Sequence, residues 1–170
     1  MNRFRFPLVA AVLSLGLTAL PASAENPHET ATVTFGAWMS SPPLDRFPNS
    51  SNTRLNNDHL VTPNVVKIKA GGTVNFIISG LHNIAVYEDG IEPGDIDISN
   101  PVSTTGPVPN PPVPIINDPN GRIYRGLDPT LQPIDRIEAV RFDDPGTFLV
   151  ICGIVPHFTG GMYGYVVVQK

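Results

Sequence analysis

Cysteine occurs once in the 170 residues, as Cys152, and tryptophan once, as Trp38. A single cysteine excludes an intrachain disulfide. It also excludes a bridged pair of coppers, which needs two thiolates, and covalent haem, which needs a C-x-x-C-H run. Charge is sparse as well: eleven Lys and Arg against fifteen Asp and Glu give a net −4, so nucleic acid is not an expected partner. Beyond the N-terminal region no apolar run approaches the roughly 20 residues that a membrane helix needs.

The one long apolar stretch lies at the start. Arg3 and Arg5 precede Pro7 to Leu20, and Pro21-Ala-Ser-Ala24 follows as a small-residue cleavage signal. This pattern predicts a secretory signal peptide over residues 1–24, cleaved between Ala24 and Glu25. The expected location is periplasmic or secreted, with no membrane span after cleavage. Residues 25–170 suffice for one domain and are too few for several, and a monomer is expected. Removing Arg3 and Arg5, with no acidic residue among 1–24, takes the charge to −6.

The remaining chain alternates apolar and polar residues in short runs, the mark of half-buried strands. Such runs cover Ala31 to Trp38, Val66 to Lys69, Thr73 to Ser79, Asn83 to Tyr87, Arg136 to Phe142, Phe148 to Cys152 and Tyr163 to Val168. Gly71-Gly72 predicts a hairpin turn between two of them, and Asp144-Pro145-Gly146 another turn. The expected fold is all-β, an antiparallel sandwich of Greek-key type. Phe148, Val150 and Cys152 share parity, which points the thiol inward at the end of a core strand.

Two segments exceed ordinary connections. Residues 39–61 are rich in Ser, Asn and Pro. Residues 89–135 hold ten of the nineteen prolines, and a loop of that length is usually functional or partly disordered. This long insertion carries Asp89, Glu92, Asp95, Asp97, Asp118, Asp128 and Asp135 against Arg122 and Arg125. Its plain reading is a solvated surface loop; the sharper one is a docking surface for a basic redox partner, steered by charge.

An unpaired thiol in an exported chain is exposed to oxidation unless something occupies it. Cys152 opens the run Cys152-Gly-Ile-Val-Pro-His157-Phe-Thr-Gly-Gly-Met162, a C-x4-H-x4-M spacing. A thiolate and neutral imidazoles suit copper in both of its oxidation states, and a distant thioether supplies a weak axial ligand. A second histidine from another strand is needed to clamp the metal. His82, between the Thr73 to Ser79 and Asn83 to Tyr87 runs, is the candidate, so the metal set is His82, Cys152, His157 and Met162. His28 and His59 fall outside the pattern: His28 is read as a solvated tail residue, and His59 as a surface residue, with a weak auxiliary metal contact as the alternative.

Thr62 to Phe76 with Gly80-Leu-His82-Asn83-Ile-Ala-Val86, and Pro145 to Cys152 with Pro156-His157 and Gly161-Met162, resemble in this order the two halves of the cupredoxins, in particular the plastocyanin-like type 1 copper proteins. The resemblance implies one copper per chain, with His82, Cys152 and His157 as equatorial ligands and Met162 axial. It implies that Asn83 ties the first-histidine loop to the cysteine loop by hydrogen bonds. It further implies an apolar electron-exit patch around His157 formed by Val155, Pro156 and Phe158. The implied role is electron transfer without catalysis, between redox proteins such as a cytochrome or a copper oxidase or reductase. The alternative role is copper binding and delivery on the same fold.

Overall fold

The computed structural model describes residues 28–36, 59–106, 112–133 and 135–170. The signal peptide read at 1–24, Trp38 and most of the 39–61 segment lie outside the described residues.

Among the described residues ten strands and one short α-helix follow in order. They are β1 (His28–Phe35), β2 (Val61–Thr62), β3 (Val65–Ser79), β4 (Ile84–Asp89), β5 (Val102–Ser103), β6 (Pro114–Ile115), β7 (Arg122–Arg125), β8 (Asp135–Phe142), β9 (Gly146–Cys152), α1 (Val155–Thr159) and β10 (Tyr163–Gln169). Strand β3 belongs to two layers. Its second half pairs with β1 and β8, and its first half runs beside β10, which continues to β9, β4 and β7. Val33, Phe35, Val74, Phe76, Ile78, Val140 and Phe142 of the first layer close on Val86, Phe148, Val150, Cys152 and Val166 of the second. Phe142 and Phe148 meet across the gap, ring centroids 5.2 Å apart.

The all-β sandwich is as expected, with two corrections. The pairing is mixed, because β3 runs parallel to both β1 and β10. Gly71-Gly72 is not a hairpin turn but a corner inside one continuous strand. There the register against β1 jumps between His28↔Ile68 and Thr30↔Thr73. Gly71 takes φ +81°, and a Cβ on Gly72 would lie 2.7 Å from the carbonyl oxygens of Glu29 and Lys69. Glycine satisfies both demands, and the three extra residues of β3 there let the strand bend from one layer into the other.

The 89–135 insertion forms a second, smaller core. Ile96 and Ile116 from it pack with Ala85, Tyr87, Leu149, Ile151 and Phe158 on the outer face of the β4–β9 pair. Strand β9 is therefore apolar on both faces, as Phe-Leu-Val-Ile-Cys reads. Acids of this segment tie the insertion to itself and to the sheet. Asp89 accepts from the Thr147 amide, Asp95 from Glu92, Asp97 from Ser99, the buried Asp118 from Asp97, Asp128 from Thr105, and Glu92 from the Tyr165 hydroxyl. Among the described residues no helix is long and apolar enough to cross a membrane.

Candidate metal centre

The expected donors meet at one end of the sandwich. His82 lies in the short β3–β4 connection, Cys152 ends β9, His157 sits on α1, and Met162 immediately precedes β10. Register brings the first two together, since Ile84 opposes Cys152. Backbone hydrogen bonds then close the loop: the Cys152 amide donates to Met162, the Met162 amide to His157, and the His157 amide to Ile154. Pro156 stands in the first turn of α1, where a missing N–H costs nothing. Gly161, at φ +95°, turns the chain back toward β10.

The His82 and His157 Nδ1 atoms are 3.2 Å apart, and each is 3.6 Å from Cys152 Sγ. A point equidistant from three atoms so spaced lies about 2.0 Å from each, which matches metal bonds to imidazole and falls near those to thiolate. The residues present therefore fit one ion. Cys152 and His82 have no exposed surface, and Met162 is buried in the same cluster as Cys152. One soft thiolate donor with two imidazoles and a neighbouring thioether is a set suited to copper, one per chain.

Burial sets the protonation of this group. It lowers His82 to about 3, helped by the neighbouring His157, His59 and Arg136 charges. His157 falls to about 4, again through burial and then His59. Both imidazoles are thus neutral and free to bind metal near pH 7. Burial pushes the Cys152 thiol up to about 11, although backbone amides of Asn83 and Ile154 point at the sulfur and favour the thiolate. A positive metal supplies what burial withholds.

The outer contacts are specific. The His82 ring hydrogen-bonds to the Ser79 backbone, the kind of contact that fixes ring orientation and tautomer. Arg136 Nη2 donates to the His82 carbonyl at 2.8 Å while its Nε pairs with Glu138 Oε1 at 2.7 Å. The Tyr124 hydroxyl of the insertion donates to the other Glu138 oxygen. Burial, then this bond, push Tyr124 up to about 12.

Asn83 ties the two loops through its backbone and not its side chain. Its carbonyl does join the cysteine loop, accepting from the Gly153 amide at 2.6 Å. Its side chain instead reaches the insertion, donating to the carbonyls of Gly126 and Leu127 at 2.9 and 2.8 Å. The insertion also bonds the cysteine loop itself, Ile116 amide to Gly153 carbonyl at 2.7 Å. Two sequence readings change. Phe158 is only 8% exposed and packs beside Tyr163 in the second core. Among the exit-patch residues Pro156 alone is exposed and Val155 is partly buried. His59, read as a surface residue with a weak auxiliary metal contact as the alternative, is exposed but stacks on the His157 ring at a centroid distance of 3.8 Å.

No family model matches the chain, and no curated protein sequence does. Among solved structures it is similar to reduced auracyanin from Roseiflexus castenholzii, at 16% identity over 85% of this chain and 100% of that one, TM-score 0.49. It is also similar to a Sinorhizobium pseudoazurin, at 18% identity over 83% and 74%, TM-score 0.41. Plastocyanin from Dryopteris crassirhizoma matches at 16% identity over 81% and 99%, TM-score 0.38. The sandwich and the donor cluster stand on the strand register and interatomic distances above. In its fold, and in the chain order of its histidine, cysteine, histidine and methionine, the protein resembles the cupredoxins.

Proposed function

We propose that the chain is an exported type 1 copper protein that carries single electrons, with His82, Cys152 and His157 as equatorial ligands and Met162 as the axial one. The observation that carries this reading is the convergence of two imidazole nitrogens and one thiol sulfur around a point about 2.0 Å from each. Copper, when bound, would supply a Cu(I)/Cu(II) couple.

The residues would do the rest. Cys152 gives up its proton to become a thiolate and receives the Asn83 and Ile154 amides. His82 is held from behind by Arg136 and Ser79. The backbone bonds linking Cys152, His157 and Met162 keep the cage in one shape, so little rearrangement accompanies a change of charge. His157, only partly buried, is the donor nearest solvent among the four and the route by which electrons would leave. In this reading the chain transfers electrons and transforms no substrate. Redox proteins such as a cytochrome or a copper oxidase or reductase are the partners in this reading, and the carrier works as a monomer in the periplasm or outside the cell.

The complete burial of Cys152 and His82 supports retention of the metal over delivery. Cycling the copper-loaded protein between ascorbate and a mild oxidant in the presence of a Cu(I) chelator tests this. A carrier keeps its copper through repeated cycles; loss of copper to the chelator at each reduction would favour delivery.

A further inference from the structure

His59 is the feature that the carrier reading leaves unused. It stands just before β2, which pairs with β1 through Phe35↔Val61 and Thr34↔Thr62, and the next carbonyl, Leu60, accepts from the Gly36 amide at 2.9 Å. Its own backbone has φ +37°, uncommon outside glycine, and no other non-glycine described residue has positive φ. Strain of this kind persists where the surroundings over-determine it. Here it lays the His59 ring flat on His157, 24° between planes, and edge-on to His82 with centroids 5.6 Å apart. One ligating atom from each of His59, His82 and His157 lies within 4.8 Å of the others.

The three imidazoles form a gradient of exposure. His59 is exposed, His157 is partly buried, and His82 is fully buried beside the fully buried Cys152. A hydrated ion arriving from solvent has no direct path to the sulfur. It can meet the two outer imidazoles first, exchange waters for nitrogens one at a time, and then reach the thiol.

We propose that His59, His82 and His157 form a tris-imidazole entry site that takes Cu(II) from solvent before Cys152 does. This deepens the type 1 reading and rests on it. The handover is a ligand exchange without redox change. The bond from His59 breaks, the Cys152 sulfur bonds in its place, and the thiol proton leaves to water. His59 then returns to its stack on His157.

The test mixes apo protein rapidly with Cu(II) and follows the thiolate-to-copper absorption band together with freeze-quenched electron paramagnetic resonance. Copper should first show nitrogen ligation without the band, then acquire it. His59→Ala should slow appearance of the band by at least about tenfold, the low end of what even an outer contact contributes to metal binding, while the final spectrum stays the same. Cys152→Ala should hold Cu(II) with couplings from three nitrogens, and adding His59→Ala to it should weaken that binding by a similar factor. Equal uptake rates for wild type and His59→Ala would overturn the entry site and leave His59 a cover for His157. If Cys152→Ala does not fold, the rate comparison alone decides. A band that never forms, with or without His59, would overturn the type 1 reading itself.

Discussion

Replacing Arg136 with Met should be among the most destabilising single changes near the site. Arg136 and Glu138 are 9% and 12% exposed in their side chains and meet at 2.7 Å. Removing the guanidinium leaves Glu138 charged, nearly buried, and held by the Tyr124 hydroxyl. Breaking one member of such a pair costs about 3–5 kcal/mol. Within that loss is the charged bond from Arg136 to the His82 carbonyl, worth about 1.5–3 kcal/mol. The double variant Arg136→Met, Glu138→Gln removes the orphaned charge and should recover all but that second part. Urea unfolding of the apo protein at pH 7 measures both, and unchanged denaturant slopes would show that the unfolded state is not the source. A single-variant loss below about 1 kcal/mol, the range of an exposed pair, would refute the reasoning. So would a double variant no more stable than the single.

Copper uptake near pH 7 should release one proton per ion, since burial holds the Cys152 thiol up at about 11 while His82 and His157, at about 3 and 4, are already neutral. A pH-stat titration reads this directly, and apparent affinity should rise about tenfold per pH unit. The apo protein should weaken in acid. His82 and His157 bind protons below 6.5 when unfolded but only near 3 and 4 when folded, so stability is full above 6.5 and falls with pH below it. The loss from pH 7 to pH 5.5 is about 1 kcal/mol for each of them before solvent screening, which reduces the share of the partly buried His157. Flat thermal stability across that range would contradict the neutral, buried His82. Gly72→Ala should cost about 1–3 kcal/mol through backbone overlap with Glu29 and Lys69, measurable by the same urea melts.

What was legible in the sequence depended on how far apart the interacting residues lie. Cys152, His157 and Met162 share one short run, and His82 sits between two strongly alternating segments, so the donor set could be read before any geometry. The sandwich followed from the same alternation. Gly71-Gly72 misled because a glycine pair marks a turn and a strand corner alike, and only the pairing of β3 with both β1 and β10 separates them. Phe158 looked like surface because the insertion that buries it is too irregular to show periodicity. The acids of that insertion read as free charges, though their amide partners are mostly within a few residues or on a facing strand. The side-chain partners of Asn83 and the stacking of His59 on His157 join distant parts of the chain, and no spacing rule reaches them. The signal for His59 was the short apolar pair Leu60-Val61 before Thr62-Pro63, which anchors it beside β1.

The most direct test of the central claim is the visible and electron paramagnetic resonance spectrum of the protein after one equivalent of Cu(II), followed by ascorbate, with Cys152→Ser as control. The account requires an intense thiolate-to-copper band at a stoichiometry of one, bleached by ascorbate, restored on reoxidation, and absent from Cys152→Ser. A protein that binds copper without that band, or whose band survives the loss of Cys152, would contradict it.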